Sequence, residues 1–145
     1  MRRRERRAAE WRRQSRRMLT TTCTRSNHHV LIVEPSPLFR LLLCVALAGE
    51  FSDFHAVATF NEARALLAEH PFAAVIAEND LKGGPGLALY EEARRSHPAL
   101  PFILMCGGIR VSREDVRFRF FAKPFLVAEL AAALLEMITP AATPR

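Results

Sequence analysis

Between residues 29 and 138, short unbroken apolar runs alternate with longer stretches in which apolar residues recur every three or four positions. Val30-Leu31-Ile32-Val33 and Ala74-Val75-Ile76-Ala77 are continuous runs, the pattern of strands buried on both faces of a parallel sheet. After the first, Ser36-Pro37 opens a helix to about Leu47, with Gly49 just beyond its end. His55–Thr59 reads as a second strand, and Asn61 caps a helix over Glu62–Glu69 that His70-Pro71 stops. Phe72–Ala77 is the third strand, and Gly86–Ser96 a helix closed by His97-Pro98. Pro101–Met105 and Phe118–Ala122 are the last strands, before an amphipathic helix over Val127–Ile138. Between Cys106 and Phe118 there is room for only about two helical turns, so the fourth helix is expected to be short or missing.

Strands separated by helices predict a five-stranded parallel, doubly wound α/β sheet. No apolar run reaches the roughly 20 residues of a membrane span. The apolar Leu41, Leu42, Leu43, Val45 and Leu47 are read mainly as core packing, with some excess facing a partner.

Charge divides the chain. Residues 1–17 hold nine arginines against Glu5 and Glu10, whereas the remainder holds twelve basic and thirteen acidic residues. Residues 1–27 are therefore an Arg-rich arm, expected to be disordered or a helix around Trp11, with Met1 or Met18 as the start. Residues 28–138 form the domain, and 139–145 a disordered tail. Only residues 2–17 offer nucleic acid a basic surface. Cys23, Cys44 and Cys106 share no metal-like spacing and suit free thiols in a reducing cytoplasm. Gly83-Gly84-Pro85-Gly86 lacks the Lys-Ser/Thr of a phosphate-cradling loop. His28-His29 is read as a polar approach to the first strand, and His55, His70 and His97 as lying at helix–strand junctions.

The chemistry lies at strand ends, where open α/β sheets place their sites. The first strand runs into Glu34-Pro35, the third into Glu78-Asn79-Asp80, and the fifth into Lys123-Pro124-Phe125. Two acids and a lysine make the skeleton of a phosphoryl-accepting site.

With Phe120-Phe121-Ala122-Lys123-Pro124-Phe125 beside the acidic turn after Val30–Val33 and the run Leu100–Met105, the chain resembles the receiver domain of two-component response regulators. The resemblance covers about His29 to Ile138 and implies strand order 2-1-3-4-5. It puts Glu78 at the phosphoacceptor position, with Asp80 as the alternative, and leaves Glu34 as the acidic pocket because Pro35 has no ligating side chain. Lys123 takes the phosphoryl-pairing role, and Cys106 and Phe120 take the switch positions. Magnesium is not expected. Glu34 and Glu78 offer at most a weak pair, with the Asp80 carbonyl as third ligand; one acid paired to Lys123 and the other solvated is the favoured arrangement. An ion pair between Glu78 and Lys123 would stand where a phosphoryl group does.

The resemblance thus implies a non-enzymatic, atypical stand-alone receiver (a pseudo-receiver) in cytoplasmic phosphorelay signalling, without normal Asp phosphorylation. Its partners would be a histidine kinase, a phosphotransferase, another regulator or a second copy of itself. Arg117, Phe118 and Arg119 are the interface candidates, because a missing fourth helix would leave Phe118 uncovered. The alternatives are a phosphoryl-accepting receiver using Asp80 or Glu78, and a nucleic-acid-associated regulator using the Arg-rich arm.

Overall fold

The computed structural model describes residues 3, 5–10, 29–51 and 53–139. Five strands, β1 (His29–Val33), β2 (Asp53–Val57), β3 (Ala74–Glu78), β4 (Phe102–Cys106) and β5 (Phe118–Ala122), alternate with four helices. These are α1 (Pro37–Leu47), α2 (Phe60–Glu69), α3 (Gly86–Ser96) and α4 (Val127–Ile138). The strands pair in parallel in the order β2-β1-β3-β4-β5, as the sequence led us to expect. In the Arg-rich arm, residues 5–10 are helical; the expectation of disorder in the rest of the arm and in residues 140–145 lies outside the described residues.

The three inner strands are buried along their whole length, so alternate side chains feed two cores. Val30, Ile32, Ile76, Ile103 and Met105 pack with Leu43 and Leu47 of α1 and Leu130 and Leu134 of α4. Leu31, Val33, Val75, Phe102 and Leu104 pack with Ala63 of α2 and Leu89 and Tyr90 of α3 on the opposite face.

Several local expectations are corrected. The second strand begins two residues earlier than the sequence suggested, because His29 to Val33 register with Asp53 to Val57. His55 therefore lies within β2 rather than at a junction. Thr59, not Asn61, caps α2: its hydroxyl accepts the Glu62 N–H at 3.3 Å and donates to the Glu62 carboxylate at 2.8 Å, on the Thr-x-x-Glu spacing of a helix start. In α1, only Leu43 and Leu47 among the large aliphatics are buried. Leu38, Leu41, Leu42 and Val45 are 49–69% exposed, so the apolar excess is mostly surface and not core.

No helix forms between β4 and β5. Asp115 anchors the connection instead, accepting the Tyr90 hydroxyl at 2.5 Å and the Arg117 N–H at 2.9 Å. This anchoring overturns the expectation that a missing helix exposes Phe118. Its ring lies 4.6 Å from that of Tyr90, centroid to centroid, and Phe118 is only 6% exposed. Arg117 lies just before β5 and donates to the Met137 carbonyl, while exposed Arg119 pairs with Glu136 at 3.0 Å. Phe118 is a core residue, and both arginines are tied to α4.

Candidate functional site

Parallel pairing brings the carboxyl ends of β1, β3, β4 and β5 to one edge, and main-chain bonds fix the residues just beyond them. Glu34 N–H donates to Val57 O at 2.9 Å, Asn79 N–H to Met105 O at 2.8 Å, and Lys123 N–H to Cys106 O at 2.9 Å. Glu34, Glu78 and Lys123 converge as a result. Lys123 Nζ stands 3.0 Å from Glu34 Oε2 and 3.1 Å from Glu78 Oε2. The expectation of one paired and one solvated acid is corrected: both carboxylates are buried and both face the lysine, their side chains 4% and 8% exposed.

The two contacts differ in kind. Glu34 Oε2 accepts a hydrogen bond from Lys123, and Glu34 Oε1 accepts the Ser36 N–H at 3.2 Å. Glu78 Oε2 receives no aligned hydrogen bond, so its contact with Lys123 is coulombic. Glu78 Oε1 has the long 3.5 Å contact from Asp80 N–H. Burial opposes the Lys123 charge, but the two carboxylates outweigh it and hold its pKa above the ordinary lysine value.

Two participants gave no local signal in the sequence. The Phe39 ring, one turn into α1, covers Lys123 Nζ at 4.5 Å from its centroid and meets Phe125 edge-on at 6.0 Å. Arg40 Nη1 donates to the Glu34 and Pro35 carbonyls at 2.6 and 3.1 Å, fixing the turn after β1. Both are placed by α1, which Ser36 starts by accepting the Phe39 N–H.

On the other side of Glu78, Asp80 is exposed and Cys106 buried. One ligand atom of each of Glu78, Asp80 and Cys106 lies within 4.8 Å of the others. Asp80, placed in the loop by the sequence, thus reaches the site with its carboxylate. Cys106 Sγ accepts the Gly108 N–H at 3.4 Å. Phe120 is half-buried and packs against the core beneath α2 and α3. Gly86 lets α3 begin against β3: a Cβ there would stand 2.3 Å from the Glu78 carbonyl oxygen.

A magnesium ion fits this donor set poorly. It calls for a near-octahedral shell of oxygens, yet Glu34 is engaged by Lys123, Pro35 supplies nothing, and Cys106 contributes a soft sulfur.

A parallel sheet ordered β2-β1-β3-β4-β5, with an acid just after β1, another at the last position of β3 and a lysine after β5, is the receiver-domain fold. Solved structures agree. A receiver protein from Sinorhizobium medicae matches with a TM-score of 0.71 at 18% identity over 78% of this chain and 95% of that one. A CheY-like receiver domain from Methanospirillum hungatei gives 0.67 at 21% identity, over 78% and 94%. A sensor protein from Polaromonas gives 0.68 at 22%, over 78% and 97%. In sequence, the chain is 30% identical over 125 residues to the response regulator protein PilR of Pseudomonas aeruginosa, covering 81% of this chain. It spans only 28% of that protein's length. No protein-family model matches the chain. Likeness to response-regulator receiver domains therefore rests on both sequence and fold.

Proposed function

We propose that this is an atypical receiver domain that passes signals in the cytoplasm by protein contact, without catalysis and without an acyl-phosphate cycle. The observation that carries this reading is the saturation of Lys123 by Glu34, Glu78 and the Phe39 ring. A phosphoryl group entering the pocket would have to displace a buried carboxylate from its only cationic neighbour among the contacts found at Glu78. Glu78 also carries one methylene more than aspartate, which moves the acceptor by about 1 Å, a displacement worth up to ~10²-fold in rate.

The contact surface we favour is α1. Leu38, Leu41, Leu42 and Val45 follow the i, i+3, i+4, i+7 spacing of one helix stripe and are all exposed. A histidine kinase, phosphotransferase or second regulator presenting an apolar helix would suit it.

Intact mass after incubation with acetyl phosphate and magnesium tests the proposal, with Glu78→Gln and Asp80→Asn run alongside. An unmodified parent supports it. A phosphoryl adduct lost in one variant assigns that side chain as an ordinary acceptor and overturns it. The Arg-rich arm supports a second reading, nucleic-acid association, through its nine arginines; affinity that falls steeply with salt and vanishes on removing residues 1–17 would establish that role.

A further inference from the structure

We propose that Glu78, Asp80 and Cys106 bind a thiophilic divalent cation of the zinc class. This goes beyond the signalling reading and does not depend on it. The three side chains come from the end of β3, the loop after it and the end of β4, and the β3–β4 register brings them together. A tetrahedral cation with ligand bonds of about 2.0–2.3 Å spaces its donors roughly 3.3–3.8 Å apart. The present spread of up to 4.8 Å would have to contract by roughly 1–1.5 Å to reach that value.

The donor chemistry selects the ion. One thiolate and two carboxylates suit a borderline-soft cation and disfavour magnesium. Three protein ligands with exposed Asp80 at the mouth leave a fourth position open to water.

An independent observation points the same way. Glu78 is a buried carboxylate with one oxygen to spare: Oε2 lies 3.1 Å from Lys123 Nζ, whereas Oε1 has only the long 3.5 Å contact from Asp80 N–H. Charge agrees as well. Glu34 and Glu78 bring two negative charges against one on Lys123, and Asp80 adds a third at the rim. Lys123 remains on Glu34 and on the Oε2 side of Glu78, so the cation would take Oε1. On binding, the metal–sulfur bond replaces the S–H bond and the thiol proton passes to solvent. The N–H of Gly108 donates to the sulfur at 3.4 Å and fixes its position at the end of β4.

The test uses the full chain, reduced and freed of metal, titrated with cobalt(II) as a spectroscopic stand-in for zinc. A thiolate-to-cobalt charge-transfer band saturating at one equivalent is expected, bleached by zinc and unmoved by a large excess of magnesium. Cys106→Ser should abolish the band, and Asp80→Asn, at an exposed position, should weaken binding at least tenfold in a normally folded protein. Cys44→Ser and Cys23→Ser should leave the band intact. Absence of the band, its survival in Cys106→Ser, or affinity unchanged in Asp80→Asn would each overturn the proposal.

Discussion

Replacing Lys123 with methionine removes the cation that two buried carboxylates share. Deleting one partner of a buried ion pair costs about 3–5 kcal/mol. Here two acids lose their counter-charge, which pushes toward the upper end. The lysine side chain is 28% exposed, so water replaces part of the attraction and pushes toward the lower end. A loss of about 3 kcal/mol follows. With a urea slope of about 1.5 kcal/mol per M for a domain of this size, the unfolding midpoint falls by about 2 M. Adding Glu78→Gln to Lys123→Met should restore part of the loss. Because the folded lysine has a raised pKa, its contribution in the parent is complete below about pH 10.4 and disappears as pH climbs through the folded value. The variant should lack that alkaline decline. Urea melts of parent and variants at several pH values provide the assay. A midpoint shift below about 0.5 M, or no recovery when Glu78→Gln is added, would refute the shared-lysine account.

Gly86→Ala should destabilise by at least ~2 kcal/mol in thermal unfolding, because the new methyl group meets main chain at Glu78 O and not a pliable side chain. Tyr90→Phe should cost about 1–2 kcal/mol by leaving Asp115 without its hydroxyl donor. Burial and Asp115 push the Tyr90 pKa up to about 12, so the parent should lose stability between about pH 10 and 12, and the variant should not lose that increment. Burial lowers the His55 pKa; Asp53 opposes this, while His70 and His29 add to it. Stability from keeping His55 neutral is therefore complete above about pH 6.5 and is lost as pH falls below that value, so His55→Leu should flatten melts compared between pH 7.5 and 5. Leu41→Lys with Val45→Lys should change stability by no more than about 0.5 kcal/mol, since both positions are exposed, while sedimentation or pull-down should register lost self-association or partner capture.

What the sequence revealed depended on how far each cause reaches along the chain. The inner strands were legible because burial on both faces leaves an unbroken apolar run. β2 was placed two residues late because its polar first residue, Asp53, owes its position to pairing with His29 of β1, 24 residues away. The α2 cap was written locally, as Thr59-Phe60-Asn61-Glu62, and a search for the Thr-x-x-Glu spacing would have found it. The positions of Glu34, Glu78 and Lys123 were readable from strand ends, but the sharing of one lysine by two buried acids depends on three strands at once. Phe118 was misjudged because its cover comes from Tyr90 on α3, and the missing helix gave no hint of it. A helix α1 that is apolar except for Arg40 conceals which face is inward, since periodicity needs contrast to be read.

Helix α1 joins the pocket to the surface. Its inward side chains determine the state of the site: Phe39 lies over Lys123, and Arg40 holds the Glu34 and Pro35 carbonyls. Its outward side chains, Leu38, Leu41, Leu42 and Val45, form the exposed stripe. Any partner that shifts α1 must disturb the Phe39 cover, and an ion on Glu78 Oε1 would share that carboxylate with the lysine beneath Phe39. Such coupling needs no phosphoryl group, only two positions of one short helix whose free energies lie within reach of a ligand's differential affinity. A domain whose shared lysine lies under Phe39 of a helix with an exposed apolar stripe is therefore built to respond to binding. By linkage, a cation that weakens or strengthens partner capture must have its own affinity changed by the same factor when the partner is present.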